Sequence, residues 1–249
     1  MTEKRPPSPA PATIVLVPGF WLGEWAWDAV ATRLHTAGVD VEALTLPGLQ
    51  PGTTDADVTL DDQIAAVVAA ISRASGPVVL VGHSGAGTVI TGAADRAPAS
   101  LSGLVFVDSG PVADGAVASP DLAPEVRSIE LPDWQTLEAA GSSLDGLDPA
   151  ARAEFRRRAV PHPAGPARQP IVLTDDRRHA IPVTLVCCSI TAQQVREMTA
   201  AGHPWFQELG SYAAVELIDL PTGHWPMWSR PDDLADELRR IAVRSSSAR

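Results

Sequence analysis

Apolar residues along this chain fall into two kinds of run, and the two alternate. Short, mostly apolar runs, rich in β-branched residues and in most cases closed by Pro or Gly, occupy residues 13–17, 39–46, 78–81, 101–107, 184–188 and 214–220. Runs of that length and texture predict strands buried on both faces. Between them, apolar residues recur at helical spacing: Trp27, Val30, Ala31 and Leu34 within residues 24–37, then Ile64, Val67, Val68 and Ile71 within residues 60–75. Further helices are predicted over residues 86–97, around 193–201, and from 231 to 243. Apolar strands alternating with amphipathic helices mean a mostly parallel six-stranded sheet covered by helices on both faces, with ligands expected beyond the carboxyl ends of the strands.

One segment interrupts the alternation. Residues 111–180 separate the fourth and fifth strands, far more than the 2–6 residues usual for such a connection. They contain two predicted helices, near residues 134–140 and 148–160, and a proline-rich return over residues 161–170. Standing over the strand ends, this insertion is expected to form a helical cap. The predicted organisation is a flexible lead over residues 1–12, a core made of residues 13–110 and 181–249, and the cap between them.

Composition narrows the partners. The 249-residue chain is 45% hydrophobic and carries a formal net charge of −11, which disfavours nucleic acid and anionic membrane surfaces and leaves a neutral organic substrate open. No run reaches the roughly 18 apolar residues of a membrane span, and the first twelve residues lack the apolar centre of a signal peptide; a cytoplasmic location is expected. Cys187 and Cys188, the two cysteines, are adjacent in a predicted strand and so point to opposite faces, which favours buried free thiols over a disulfide. The six histidines show no ligand-like spacing and no phosphate or dinucleotide loop is present, so neither a metal nor a cofactor is expected.

The chemistry gathers around residues 77–87, PVVLVGHSGAG, which read as strand, tight turn and helix with Ser84 at the apex. A serine held in such a strained turn needs small residues two before and two after it, and Gly82 and Ala86 meet that need, although the usual final glycine is displaced to Gly87. A hydroxyl is a weak nucleophile until a base takes its proton. His224, set between Gly223 and Trp225-Pro226 after the last predicted strand, is the candidate base. The Gly85 amide, following the nucleophile at a helix N-terminus, is a candidate oxyanion donor.

Val15-Leu16-Val17-Pro18-Gly19-Phe20, Gly82-His83-Ser84-Gly85-Ala86 and Gly223-His224-Trp225-Pro226 together resemble the α/β-hydrolase superfamily, especially its short esterase, lactonase and hydroxynitrile-lyase members. The resemblance implies the α/β-hydrolase fold, Ser84 as nucleophile, His224 as general base and later acid, and the Phe20 backbone as second oxyanion donor. It also implies a carboxylate. In much of the superfamily this acid follows the strand that is here residues 184–188, where Thr191 stands instead; similar enzymes place it one strand earlier, at the position of Asp108. Asp108 is the preferred triad acid, with a Ser–His dyad or another acid as alternatives.

Trp21, Trp134, Trp225 and Trp228 fall near the expected pocket mouth, and His83 and His162 are further candidates for contact with substrate; core packing for the tryptophans and a surface loop for His162 are the alternatives. The function that fits best is cofactor-free hydrolysis of an ester or lactone of a mostly apolar small molecule through an acyl-enzyme. A lyase or C–C bond hydrolase using the same residues for acid–base chemistry, and a non-catalytic small-molecule binder, are the competing readings.

Overall fold

A computed structural model describes residues 11–53 and 57–246. Four strands come first: β1 (Thr13–Val17), β2 (Val41–Ala43), β3 (Val78–His83) and β4 (Leu101–Val107). A two-stranded antiparallel ribbon follows, β5 (Ser128–Ile129) with β6 (His162–Pro163), and then β7 (Val183–Cys187) and β8 (Val215–Asp219). The strands outside the ribbon form one sheet in the order β2-β1-β3-β4-β7-β8, parallel throughout. Strand order reverses between β1 and β3, so the loops leaving those two strands part from each other and open a crevice at the carboxyl edge. Val17 pairs with Gly82 there, which sets Pro18-Gly19-Phe20 beside His83-Ser84.

Alternation along the central strands divides the core in two. Val15, Val17 and Leu80 face α2 (Leu60–Arg73) and α3 (Ala86–Arg96); Ile14, Leu16, Val79 and Val81 face α1 (Asp28–Thr36) and the C-terminal helix, residues 231–246. The helix α2 begins where the sequence pattern places it because Thr59 and Asp62 exchange hydrogen bonds as a capping box. The helix α1 starts later than expected, after one 3₁₀ turn over Glu24–Trp27. Of residues 39–46 the strand keeps Val41–Ala43, flanked by bonds from the Ile14 amide to the Asp40 carbonyl and from the Leu44 amide to the Leu16 carbonyl, and β2 is an edge strand bonded to β1 alone; Leu46 turns into the core, and Gly48 at φ +83° reverses the chain.

The expected flexible lead over residues 1–12 lies outside the described residues up to position 10. Ala12 is fully buried and donates its amide to the Ala242 carbonyl at 3.1 Å. Within residues 111–180 the two expected helices are α4 (Trp134–Ala139) and α5 (Pro149–Arg158), capped by the side chains of Asp133 and Asp148. The proline-rich return carries β6 and the short α6 (Ala164–Arg168). Beyond the insertion, α7 (Ala192–Ala200), α8 (Pro226–Ser229) and α9 (Pro231–Ser246) complete the chain.

The insertion is fastened to the rest of the chain at several places, among them the Leu60 amide, which donates to Gln169 Oε1 at 2.9 Å. Trp21 Nε1 donates to the Ile129 carbonyl at 2.9 Å, and the Val160 amide donates to the Trp21 carbonyl at 3.0 Å. Gly223 and His224 donate their amides to the carbonyls of Asp145 and Ser143. At its far end the buried Arg178 pairs with the buried Asp95 of α3, whose carboxylate also accepts the amides of Thr174 and Asp175. Among the described residues no helix is long and apolar enough to cross a membrane.

Candidate active site

The strand β3 runs straight into a left-handed residue. Ser84 has φ +52°, a conformation that non-glycine residues adopt at a cost of order 1–3 kcal/mol and keep only where the surroundings enforce it. Here the Ser84 amide donates to the Val107 carbonyl at 3.1 Å, and the Ser84 carbonyl accepts from the Gly87 amide and the Ser109 hydroxyl, at 2.9 and 2.7 Å. A Cβ on Gly82 would lie 2.8 Å from the Ile90 side chain of α3, which is the close strand–helix crossing that the elbow requires. The displaced glycine has its own reason: a Cβ on Gly87 would meet the Ser109 hydroxyl at 2.5 Å and the Gly110 carbonyl at 2.8 Å. Gly87 therefore makes room for the chain leaving β4, and Ala86 fits the elbow as it stands.

Three residues from separate segments meet at this edge. Ser84 Oγ lies 2.7 Å from His224 Nε2, and His224 Nδ1 lies 2.6 Å from Asp108 Oδ2. Asp108 is itself left-handed, at φ +46°, at the end of β4. Its Oδ1 accepts the amides of Cys188 and Ser189, at 3.1 and 2.9 Å, and its Oδ2 accepts the Ser189 hydroxyl at 2.5 Å. Burial works to raise the Asp108 pKa, but the His224 and Ser189 donors outweigh it and hold the carboxyl below its usual range. An ionised acceptor at Oδ2 assigns the His224 proton to Nδ1 and leaves Nε2 free to accept from Ser84. Thr191 is far from any such role: it caps α7 through a capping box with Gln194.

His83 sits beneath this arrangement rather than in a substrate pocket. It is 1% exposed, and its Nε2 donates to the His224 carbonyl at 2.7 Å. Burial, followed by the neighbouring His224, pushes its pKa down to about 3, so the ring stays neutral. Burial likewise pushes the Cys187 thiol up to about 12 and the Cys188 thiol higher still; both are free and buried, and neither supplies a thiolate.

The cleft beside Ser84 is lined by the loop after β1, by α3 and by the insertion, through residues including Phe20, Leu46, Gly85, Val89, His162 and Pro166. His162 is buried against it, its ring stacked on that of Phe20 with centroids 3.8 Å apart. The expectation for the tryptophans needs correction. Trp134, Trp225 and Trp228 do not line this cleft; all three pack around Phe155, with ring centroids 5.0–5.6 Å away, and tie α5 to the His224 loop. Trp21 stands edge-on to Phe20 at 5.9 Å and serves as the clasp to Ile129. Among the described residues no group of three or more His, Cys, Asp or Glu is placed to hold a metal ion.

Comparison with known proteins gives this geometry its context. Residues 14–237 match the model of the alpha/beta hydrolase family. The chain belongs to that family. Among curated relatives of this family member is the carbendazim hydrolyzing esterase of Nocardioides sp., 27% identical over 92% of this chain and 99% of the relative. Another is the pyrethroid hydrolase of Sphingobium wenxiniae, 23% identical over 92% of this chain and 87% of the relative. Among solved structures, an extracellular alpha/beta-hydrolase from a Paenibacillus species superposes with a TM-score of 0.72 at 20% identity, covering 93% of this chain and 99% of its own.

Two partners in this family member's site were not legible in the sequence. Ser189 donates to Asp108 twice, and Ser109 braces the elbow carbonyl; the signal for either was a serine within two residues of a predicted strand end, which is common in turns.

Proposed function

We propose that the protein is a cofactor-free serine hydrolase that cleaves an ester bond of a mostly apolar small molecule through an acyl-enzyme. The observation that carries this reading is the unbroken path from Asp108 through His224 to Ser84, with links of 2.6 and 2.7 Å. His224 Nε2 takes the Ser84 proton as Oγ attacks the ester carbonyl, and the ionised Asp108 stabilises the imidazolium that forms. The electron pair displaced from the carbonyl resides on an oxyanion. The amides of Phe20 and Gly85, which donate to no acceptor among the described residues, are its donors; one such donor contributes about 3 kcal/mol of transition-state stabilisation. Collapse of the oxyanion expels the alkoxide, which takes the proton from His224. Water, deprotonated by His224, then attacks the acyl-serine, and Ser84 leaves with that proton as the acid is released.

The relatives' names support the ester as the bond: a carbendazim hydrolyzing esterase, a pyrethroid hydrolase and plant methylesterases all match this chain. The apolar wall formed by Leu46, Val89 and Pro166 supports a substrate with a hydrocarbon body. Lactones fall within the same chemistry, since ring opening differs only in that the leaving alcohol stays attached. Steady-state hydrolysis of p-nitrophenyl esters tests the reading. Ser84→Ala is expected to lower kcat by about 10⁴-fold or more, and a fluorophosphonate probe is expected to label Ser84. Undiminished turnover in Ser84→Ala overturns the proposal, and cyanohydrin cleavage by a protein that refuses the probe replaces it with a lyase.

A further inference from the structure

Three polar side chains that the chemistry above leaves unused line the cleft, Gln63, Thr88 and His162; Gln63 donates to the Pro47 carbonyl at 3.1 Å, and His162 stands apart. His162, on β6, is 3% exposed, and neither of its ring nitrogens has a hydrogen-bond partner among the described residues. Burial pushes its pKa down to about 3, so at any working pH the ring is a neutral imidazole with one N–H donor and one acceptor. Leaving such atoms unpaired in a protein interior is costly, and an apolar ring would fill the same space without that cost. Its neighbours in the chain, Pro161, Pro163 and Ala164, are apolar.

Its surroundings say what the nitrogens are for. The ring is pinned: it stacks on Phe20 at an interplanar angle of 17°, and Phe20 is held by Trp21, which bonds to Ile129, the residue paired with His162 in the ribbon. It lines the same cleft as Gly85 and Phe20, whose amides are the proposed oxyanion donors. A substrate carbonyl held by those amides therefore brings one of its substituents into the space that His162 borders. We propose that His162 is a specificity-determining residue that donates its imidazole N–H to a neutral acceptor on that substituent, selecting esters with a heteroaryl nitrogen or an additional carbonyl oxygen over hydrocarbon esters. This rests on the hydrolase reading, and it places substrate recognition on the insertion.

The test compares p-nitrophenyl benzoate with the three p-nitrophenyl pyridinecarboxylates, which move one acceptor around an otherwise constant ring. His162→Phe keeps the stack on Phe20 and removes both nitrogens, and His162→Gln keeps a donor. The quantity read is the pyridine-to-benzoate ratio of kcat/KM in the wild type divided by that ratio in each variant, which cancels the intrinsic reactivity of the esters. At least one isomer is expected to show a ratio of about ten in His162→Phe, the worth of one hydrogen bond to a buried donor, with partial recovery in His162→Gln. Ratios within twofold of unity for all three isomers, or equal loss on all four esters, overturn it. Turnover that survives Ser84→Ala would instead remove the hydrolase reading. The recognition claim is then decided by thermal shifts of the Ser84→Ala protein with pyridinecarboxamides and benzamide, where a preference for a pyridine isomer that His162→Phe abolishes upholds it, and equal shifts overturn it.

Discussion

On the sheet side of the cleft, His224 has both ring nitrogens engaged and Asp108 accepts four hydrogen bonds; on the insertion side, His162 has neither nitrogen engaged among the described residues. The two histidines come from these two regions, and their bonding suits them to opposite purposes. A saturated relay has a single geometry whatever enters the cleft, which suits a proton path that is the same for every ester. An unpaired group completes its bonding only with a particular ligand, which suits selection. The split follows the chain: the relay rests on β3, β4 and the β8–α8 loop, whereas the selector rides on a ribbon of two residues per strand, held to the core through Trp21 and, just beyond it, through Gln169 and Leu60.

The largest effect expected from breaking the relay without emptying it comes from Asp108→Asn. The amide keeps the volume, but it presents an N–H to His224 and removes the anion. His224 then holds its proton on the nitrogen facing Ser84, and kcat is expected to fall about 10⁴-fold. Pre-steady-state burst analysis checks the assignment: the acylation rate should fall while ester binding stays near the wild-type value. An Asp108→Asn enzyme within tenfold of the wild type would return the choice to a Ser–His dyad.

A smaller effect is expected where the two regions meet. A Cβ on Gly223 would lie 2.6 Å from the carbonyl oxygens of Asp145 and Ser143, backbone atoms that no side-chain rotation can move aside. Gly223→Ala therefore pushes the insertion off the His224 loop and strains the two amide bonds that join them. The expected cost is about 1–3 kcal/mol of stability by urea titration, with kcat down about 10²-fold from displacement of the imidazole. Gly76→Ala is the control, since nothing lies within 4 Å of the added methyl, and it should leave both measurements unchanged.

The same division governs how much could be read from the chain. Continuous apolar runs marked β1, β3 and β4 because those strands are buried on both faces, and the small residues around Ser84 and the Gly-His-Trp-Pro run marked the nucleophile and the base. Asp108 stayed one of several choices because its environment is assembled from amides about 80 residues away, across the β4–β7 pairing, and its left-handed turn has no glycine to announce it. Thr191 occupied the expected acid position for a purely local reason, helix capping. For the tryptophans, a place in the loops and cap near the strand ends does not say which surface takes up the ring: Trp134, Trp225 and Trp228 pack on Phe155. His162 read more readily as a surface-loop residue, and the ribbon pairing of His162 with Ile129 is what carries it under Phe20.

The smallest predicted effect follows from the two buried neutral histidines, one on each side. Folding holds the pKa values of His83 and His162 at about 3, against an ordinary histidine value of 6.5. Between those values the unfolded chain binds two protons that the folded chain does not, so stability rises with pH, and acid destabilises the fold from about pH 6.5 downward. Each histidine contributes a slope of about 1.4 kcal/mol per pH unit in that window. Asp108 acts lower: its depressed pKa gives stability present above the unfolded carboxyl value and lost only as pH falls through the folded one. Urea titrations at pH 5 and pH 7 should therefore show His162→Phe losing less stability on acidification than the wild type, by about one proton's slope. Equal acid sensitivity in the two proteins would mean that His162 takes up a proton in the folded state, which a ring held dry under Phe20 has no room to do.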